Sequence, residues 1–543
     1  MNMHYYASIA ICVILCVSIA KEYVVGVAQE TKSTEERQQH EEHIGGYLKA
    51  QANWGEYEDY NEEDAQDCRE DLDMPIIVWW TPFTGVHGLP RHCTMGSCCL
   101  TQDRSQLLRS TAKVALFYGT DFNPTDLPLP RRNDIWWGLL HEESPKNRPI
   151  LNHLPVVQAF NLTGTFKRES DFPLTLQFLP SIDSLTSKKE FVTTKRKSKF
   201  LKEYLNSSKR GNVQNGKTKE RTHSMENEKQ KKDNAYQNED ASKINKEPVT
   251  DGSNGDKSFK NIAPIVYIHS DCDSPSERDE YMAELSRYIK IDSLGNCLNT
   301  RPLPPPLEDA SYFDHKDFRH ILARYKFTLT IENYGCDDYI TEKFWRPLIV
   351  GSVPVYWGSP KIDDWAPNPK SVIKISDFAT PKDLADYLHT LLRNDSLYET
   401  HLTHKIHGEI TNSKLISAID ERQWGLDDLD KGSFIDHFEC YVCDQIYYHH
   451  PHLTSKTVYT PKIADVSHIN CPEPKTVLTN HVNEDSYWLE EYEKSKTEAE
   501  VLGDSLKNNK VVGEDEFFTK VFESLRAKDF FKRFPFRHTH DEL

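Results

Sequence analysis

Apolar strands alternate with helical patterns through the second half of the chain, and this alternation is the strongest constraint on its fold. The buried-type strands are APIVYI, FTLTIE, VPVYWG and SVIKI, at residues 263–268, 327–332, 353–358 and 371–375. The segments between and after them predict helices over Ser276–Lys290, Thr341–Val350 and Pro381–Leu392, the last with Thr380 as its N-cap. This alternation predicts an α/β fold with a doubly wound parallel sheet, whose ligands bind beyond the carboxyl ends of the strands.

A second set of strands precedes this region. These strands are PIIVWW, KVALFYG and IWWGLL, at residues 75–80, 113–119 and 135–140. Between the two sets, residues 182–261 are rich in Lys, Asn, Ser, Glu and Gln, a composition that buries too little apolar surface to offset the entropy of ordering. We therefore predict an N-terminal Rossmann-like domain over 74–181, a disordered lysine-rich insertion over 182–261 and a second domain over 262–445.

Residues 446–543 form a C-terminal extension. Its stretch DEFFTKVFESLRAKDFFKRF predicts a helical tail that packs on the core, with an amphipathic docking element as the alternative. The last four residues match the HDEL form of the retrieval signal of the endoplasmic reticulum (ER). They are His540, Asp541, Glu542 and Leu543. The ending predicts binding by the ER retrieval receptor and a lumenal protein, and cycling through the Golgi is compatible with it.

The N-terminus also carries a targeting pattern. Tyr5–Ala20 is apolar over about sixteen residues, which is short for a membrane span and typical of a signal peptide. Residues 1–29 are thus predicted to be a cleaved signal peptide, with an uncleaved type II signal anchor as the alternative. The acidic residues 30–73 predict a stem.

Ten cysteines remain once the two in the apolar N-terminal segment are set aside, and an even number in an oxidising compartment predicts disulfides. The candidates are Cys68, Cys93, Cys98, Cys99, Cys272, Cys297, Cys336, Cys440, Cys443 and Cys471. Cys440 and Cys443 leave half a zinc site as an alternative, although no second CxxC completes it. Sequons predict N-glycosylation at Asn161, Asn206 and Asn394.

The net charge and the absence of two nucleotide-binding motifs argue against several classes of function. The formal net charge is −18, and the lysine-rich insertion makes the remainder still more acidic. An acidic body argues against nucleic acid as the main partner, because phosphate binding needs a basic face. Neither a G-x-G-x-x-G nor a Walker A motif is present, which disfavours dinucleotide oxidoreductases and P-loop NTPases.

The polar loop between the strand at 327–332 and the next helix is the most informative segment. It reads ENYGCDDYITEKFW, with Thr341 as the predicted N-cap and Glu342 and Lys343 in the first turn. A lysine at this position opposes the helix dipole unless an anion lies beside it. A diphosphate at this helix start would be bound by free backbone N–H groups and the ammonium together. The alternative is that Lys343 points into water.

Five segments, in order, resemble the alpha-1,3-fucosyltransferase family, glycosyltransferase family 10. They are HEESPKN at 141–147, FNLTGTFKRESDF at 160–172, HSDCDSPSERDEY at 269–281, IDSLGNC at 291–297, and ENYGCDDYITEKFW followed by VPVYWGSP. The resemblance covers about 75–180 and 262–445. The segment SDC-x-x-P-S-x-R-D and the HDEL ending resemble the ER-resident branch of the family. That branch has been linked both to fucosylation of GlcNAc in N-glycans and to O-fucosylation of Ser/Thr on EMI-type protein modules.

This resemblance implies a GT-B fold, in which two Rossmann-like domains enclose the active site between them. It implies GDP-β-L-fucose as the donor, in an inverting displacement that needs no metal or other cofactor. It also implies that Asn333, Tyr339, Glu342 and Lys343 line the donor pocket and that Arg278 joins Lys343 on the diphosphate.

Inverting transfer to a hydroxyl requires one base on the face opposite the leaving group. Glu143 in the ESP segment is the predicted base, and its neighbour Glu142 is the nearest alternative. A capping or surface carboxylate is the alternative role for Glu143. Asp271 and Asp273 also form a D-x-D after a strand, a pattern that binds Mn²⁺ or Mg²⁺ in other glycosyltransferases. Because this triplet lies inside the segment that resembles the metal-free family, we predict no metal.

The acceptor is predicted from location. The ER favours folding proteins, so Ser/Thr of protein modules is preferred over an alpha-1,3 linkage to GlcNAc on N-glycans. Two alternative functions remain: a non-catalytic lumenal factor that binds glycans or proteins, and a GT-B transferase with another nucleotide sugar. The first predicts GDP binding without fucose release, and a thermal-shift panel of nucleotides tests the second.

Overall fold

The computed structural model describes residues 73–81, 88–201, 261–304, 307, 315–425, 432–453 and 462–535. The predicted signal segment, nearly all of the stem and the HDEL residues lie outside the described residues. So do most of the predicted insertion, Cys68 and Asn206.

A seven-stranded sheet forms the N-terminal domain. Its strands are β1 Ile76–Thr81, β2 Leu89–His92, β3 Ser97–Thr101, β4 Ala112–Tyr118, β5 Trp136–His141, β6 Leu162–Thr165 and β7 Phe172–Pro173. Their spatial order is β2-β3-β1-β4-β5-β6-β7, and every pair is parallel except β2 with β3.

A five-stranded sheet forms the second domain. Its strands are β8 Ile265–Tyr267, β9 Ile291–Ser293, β10 Phe327–Ile331, β11 Val353–Trp357 and β12 Ile373–Lys374, all parallel, in the order β12-β11-β10-β8-β9. Two α/β domains with largely parallel sheets confirm the predicted GT-B architecture.

The α-helices follow in chain order. They are α1 Leu154–Val157, α2 Ile182–Thr186, α3 Thr194–Phe200, α4 Arg278–Ser286, α5 Lys316–Leu322, α6 Glu342–Val350, α7 Pro381–Arg393, α8 Asp395–Glu399, α9 Thr403–Ile406, α10 Ser413–Glu421, α11 Phe434–Leu453, α12 Tyr487–Lys507, α13 Glu514–Ala527 and α14 Phe530–Arg533. Among the described helices, none combines the length and the apolar character needed to cross a membrane.

Helices cover both faces of the N-terminal sheet. Successive side chains of a strand point to opposite faces, so Val78 packs into one core and Trp79 into another. The C-terminal extension fills the first core with Leu502 and Phe517 of α12 and α13, and α11 fills the second with residues such as Phe438. The predicted packing role of the extension helix is therefore confirmed.

The predicted boundary at 445/446 is wrong, because α11 continues across it and packs on the N-terminal sheet. The chain therefore packs again on its first domain before residue 446, because α11 buries apolar side chains against the N-terminal sheet. Periodicity alone did not indicate which sheet this helix would cover.

The start of the predicted disordered insertion is also wrong. Residues 182–201 contain α2 and α3, and Leu185 and Leu201 have no exposed surface. Lys197 is fully buried as well, and its ammonium donates to the carbonyl oxygens of Tyr325 at 2.9 Å and Gly351 at 2.5 Å. A few apolar anchors and one satisfied lysine thus order a segment whose average composition is polar.

Local helix signals are largely confirmed. Thr380 caps α7, with its side-chain oxygen accepting from the backbone N–H of Asp383 and with Pro381 at the first position. Helix α4 begins at Arg278 rather than at Ser276, because Glu277 has the left-handed backbone conformation, at φ 48° and ψ 42°.

Disulfides are present, as predicted. The pairs are Cys93–Cys440, Cys98–Cys443, Cys272–Cys297 and Cys336–Cys471, and Cys99 is disulfide-bonded too. Both cysteines of the CxxC are thus bonded to the N-terminal sheet region, which rules out the zinc alternative for them.

Candidate active site

Two strands from different domains end at the same cleft. Strand β5 is followed by Glu142 and Glu143, and β10 is followed by Glu332 and Asn333. The hydroxyl of Ser144 donates to Oδ1 of Asn333 at 2.9 Å, which joins the two loops directly. The carboxyl ends of parallel strands are where α/β sheets bind ligands, so this cleft is the candidate active site.

Tyr339 crosses the cleft from the second domain. Its hydroxyl donates to Oε2 of Glu143 at 3.2 Å, and its side chain is nearly fully buried. Burial and then the charge of Glu143 raise the pKa of Tyr339 well above its ordinary value, so the hydroxyl remains a donor. The family resemblance implies that Tyr339 lines the donor pocket, which stays a prediction, and in the structure its hydroxyl contacts the predicted base.

Glu142 and Glu143 are neighbours in different environments. Oε1 of Glu142 accepts from the Tyr118 hydroxyl at 3.0 Å, and its buried Oε2 has no hydrogen-bond partner. Burial and then the charge of Glu143 raise the pKa of Glu142 to about 8. Glu142 is therefore protonated at neutral pH. Two adjacent carboxyl groups in different environments suit different roles.

The start of α6 carries the predicted cation. Thr341 is its N-cap, as predicted, and accepts from the backbone N–H of Lys343 at 3.4 Å. The ammonium of Lys343 lies 3.1 Å from Oε1 of Glu342 and 3.2 Å from Oγ1 of Thr341, so it lies along the first turn rather than extending into water. Burial raises the pKa of Glu342, but the charges of Lys343 and Arg346 outweigh it and lower that pKa to about 2.

Glu332 supports this helix start and was not predicted as a site residue. It has no exposed surface, and its carboxylate accepts from the backbone N–H of Thr341 at 2.8 Å and from the Thr341 hydroxyl at 2.7 Å. Burial raises the pKa of Glu332 to about 7, although the charge of Lys343 opposes the rise. An acidic residue directly after a buried strand was the signal that could have identified it.

Arg278 is the feature that points most directly to a ligand. Its side chain is 2% exposed, and Nη2 donates to the carbonyl oxygen of Asp271 at 2.5 Å. Nε and Nη1 are buried without a hydrogen-bond partner. Leaving buried charged donors unsatisfied is costly, so this guanidinium is suited to an anion in the cleft.

The charges of Arg278 and Lys343 both act on the buried imidazole of His269. Burial, followed by the charges of Arg278 and Lys343, lowers the pKa of His269 well below its ordinary value. The imidazole is therefore neutral. The joint binding of one diphosphate by Arg278 and Lys343 stays a prediction.

The D-x-D carboxylates have protein partners. Asp271 pairs with Lys146, and Asp273 accepts from the indole N–H of Trp488 at 2.8 Å. Among the described residues, one cluster has metal-ligand geometry: Cys272, Asp279 and Cys297. Its two sulfurs form a disulfide with each other, so they offer no thiolate ligands.

The described sequons differ in access. Asn161 is 5% exposed; its Oδ1 accepts from Arg131 and the backbone N–H of Trp137, and its Nδ2 donates to the carbonyl of Lys462 at 2.7 Å. Glycosylation at Asn161 is therefore wrong for the folded chain, because a glycan on Nδ2 would break this packing. Asn394 is exposed at the start of α8, and its glycosylation stays a prediction.

Sequence comparison identifies the family. Two protein-family models match the chain. The model described as "Fucosyltransferase, N-terminal" matches residues 72–177, and the model described as "Glycosyltransferase family 10 (fucosyltransferase) C-term" matches residues 259–458. A protein of Xenopus tropicalis named GDP-fucose protein O-fucosyltransferase 3 is 38% identical over 456 residues, which cover 83% of this chain and 84% of that protein. The chain belongs to glycosyltransferase family 10, the fucosyltransferases. The Homo sapiens protein of the same name is 38% identical over 459 residues, 83% of each chain.

Family membership confirms the resemblance based on the five motifs. A solved alpha1,3-fucosyltransferase with GDP is 14% identical, covering 77% of this chain and 98% of that one, with a TM-score of 0.36. A TM-score this low carries no argument for the family assignment, which rests on the sequence matches. The C-terminal family match ends at residue 458, so the extension described from residue 462 lies beyond it.

Proposed function

We propose that this family 10 enzyme transfers L-fucose from GDP-β-L-fucose to a Ser/Thr hydroxyl of a folded protein module in the ER lumen, with inversion. The observation that carries the proposal is the buried guanidinium of Arg278, whose Nε and Nη1 have no hydrogen-bond partner. Lys343 at the start of α6 supplies a second cation, and Glu143 supplies the carboxylate of the same cleft. This cleft combines an anion site with a carboxylate, which are the two groups that such a transfer requires.

Arg278 and Lys343 bind the diphosphate in this proposal. As the bond between fucose C1 and the phosphate oxygen breaks, GDP takes the electron pair and gains negative charge. Preorganised cations stabilise that developing charge. Asn333 and Glu342, which border the same helix start, contact the nucleoside or the sugar hydroxyls.

Glu143 acts as the general base. It takes the proton from the acceptor hydroxyl while that oxygen attacks C1 on the face opposite GDP, so the β-linked donor gives an α-linked product. Tyr339 holds the carboxylate through its hydroxyl, and protonated Glu142 keeps a second negative charge away from the base. No metal or other cofactor takes part.

The protein acceptor is supported by the relatives, which are named protein O-fucosyltransferases. GlcNAc on N-glycans is the second acceptor to test. The lumenal location is supported by the disulfides, which persist in an oxidising compartment, and by the targeting patterns of the sequence, with the retrieval receptor as a further partner.

The test incubates the purified chain with GDP-fucose and either a folded EMI-like module or an N-glycan, with products identified by mass spectrometry. We expect fucose on Ser/Thr of the module. Glu143→Gln should lower turnover roughly 10²–10⁴-fold while GDP still binds, and the matched Glu142→Gln should lose much less. GDP binding without transfer or donor hydrolysis would instead identify a non-catalytic binder, and tighter binding of another nucleotide would identify a different donor.

A further inference from the structure

The C-terminal extension contacts both domains beside the cleft. Cys471 forms a disulfide with Cys336 in the second domain, and its carbonyl oxygen accepts from Nδ2 of Asn152 in the first domain at 2.9 Å. The next residue, Pro472, accepts from the Tyr334 hydroxyl at 2.7 Å. The extension is therefore tied to the donor side as well as to the sheet that it covers.

The stretch before α12 reaches the residues that precede Arg278. The backbone N–H of Val477 donates to the carbonyl oxygen of Ser276 at 2.9 Å. Nδ2 of Asn483 lies 2.9 Å from Oε1 and 3.2 Å from Oε2 of Glu277, so one amide group contacts both carboxylate oxygens. Two residues of the extension thus hold the two residues before Arg278.

Glu277 needs such support because its backbone is left-handed, at φ 48°. Residues with a Cβ adopt this conformation only at a cost in free energy, because the Cβ lies too close to the following carbonyl oxygen. The turn at Glu277 sets where α4 begins and therefore the direction in which Arg278 leaves the backbone. Arg278 in turn has buried nitrogens without a partner.

We propose that Asn483 is a positioning residue for the donor diphosphate. Through its hydrogen bonds to Glu277, it stabilises the left-handed turn and keeps the guanidinium of Arg278 directed into the cleft. This inference rests on the proposed function, because the diphosphate of GDP is the anion that Arg278 is assigned to bind. It also makes the extension, which lies beyond the family match, a part of the donor site.

The test compares Asn483→Ala and Glu277→Ala, singly and together, with Asn508→Ala as the control. Asn508 lies in the same extension, and its exposed side chain donates to the carbonyl of Asp504. We expect Asn483→Ala to weaken GDP binding in calorimetry and raise the KM for GDP-fucose by about ten-fold, with kcat nearly unchanged. The double variant should be no weaker than either single variant, since both remove one interaction.

A rescue variant separates positioning from general support of the fold. Asparagine adopts the left-handed conformation more readily than glutamate, so Asn483→Ala combined with Glu277→Asn should regain much of the lost GDP affinity. Thermal unfolding reports whether each variant folds. If Asn483→Ala destabilises the chain, the comparison of its GDP affinity with that of the rescue variant still decides the question.

Three results would overturn the inference: GDP affinity of Asn483→Ala within about two-fold of the wild type, additive losses in the double variant, or no gain in the rescue variant. Failure of the proposed function looks different. In that case Arg278→Ala binds GDP as well as the wild type does, or the wild type binds neither GDP nor UDP. Because Asn483 acts through Arg278, either result removes the inference as well, whereas the three results above leave the proposed function intact.

Discussion

The hydroxyl of Tyr339 lies 3.2 Å from Oε2 of Glu143, so a tyrosine of the second domain donates to a carboxylate of the first. The tyrosine ring is held by an edge contact with Phe166, at 5.3 Å between ring centroids. A buried donor with a fixed ring restricts the orientation of the carboxylate. The position of the proposed base therefore depends on how the two domains meet.

Tyr339→Phe should reduce kcat roughly ten-fold, because the loss of one hydrogen bond to the proposed base weakens the restraint on its orientation. The KM for GDP-fucose should change much less. Steady-state kinetics check this, with Tyr288→Phe as the matched control, since the exposed Tyr288 hydroxyl donates to Glu284 at 3.1 Å. Equal kcat values for the two variants would show that the hydrogen bond to Glu143 is dispensable.

Glu142 should make the free energy of unfolding depend on pH. Its pKa is raised from 4.5 to about 8 in the folded chain, so the folded state binds this proton more tightly than the unfolded state. The resulting stability is fully present below pH 4.5 and is lost as pH rises towards 8.

Glu142→Gln should therefore lose less stability over that pH range than the wild type, by on the order of 4 kcal/mol. Denaturant unfolding at both ends of the range measures the difference, and Glu523→Gln, an exposed carboxylate on α13, serves as the control. A wild-type and Glu142→Gln difference that stays constant with pH would argue against a protonated Glu142.

The guanidinium of Arg168 joins the first domain to the second. It donates to both oxygens of Asp338, at 2.7 Å and 2.5 Å, and to Asp364 at 2.8 Å, and Asp338 is 1% exposed. Arg168→Ala should destabilise the fold by about 3 kcal/mol, because it leaves a buried carboxylate without its cation. Thermal unfolding tests this against Lys382→Ala, which removes an exposed pair with Asp386. Similar melting temperatures for the two variants would contradict the prediction.

Transfer activity should persist in EDTA. Asp271 and Asp273 of the D-x-D are paired with Lys146 and Trp488, and the proposed diphosphate ligands are Arg278 and Lys343. An assay in EDTA, with and without added Mn²⁺, measures this. A loss of activity that Mn²⁺ restores would mean that these carboxylates leave their partners to bind a metal.

Much of the fold could be predicted because its signals are local. Apolar runs placed the central strands of both sheets, and Thr341 and Thr380 marked the starts of α6 and α7 correctly. Capping and helical periodicity act over a few residues, so one segment carries all the information they need. Motif order was sufficient to identify the family for the same reason.

The errors arose where one segment is stabilised by a distant one. Lys197 is ordered by carbonyl groups more than a hundred residues away, at Tyr325 and Gly351. Asn161 carries a valid sequon but is enclosed by Arg131 and Lys462. Composition and sequons do not report such contacts.

The amino-acid sequence by itself determined the two α/β domains, the family and the identity of the polar residues at the cleft. Only the tertiary structure decided that Tyr339 contacts Glu143, that Arg278 is buried with unsatisfied nitrogens, and that Asn483 contacts Glu277. The physical reason is range: local patterns follow backbone geometry over a few residues, whereas burial and hydrogen-bond partners depend on how segments separated by some two hundred residues pack together.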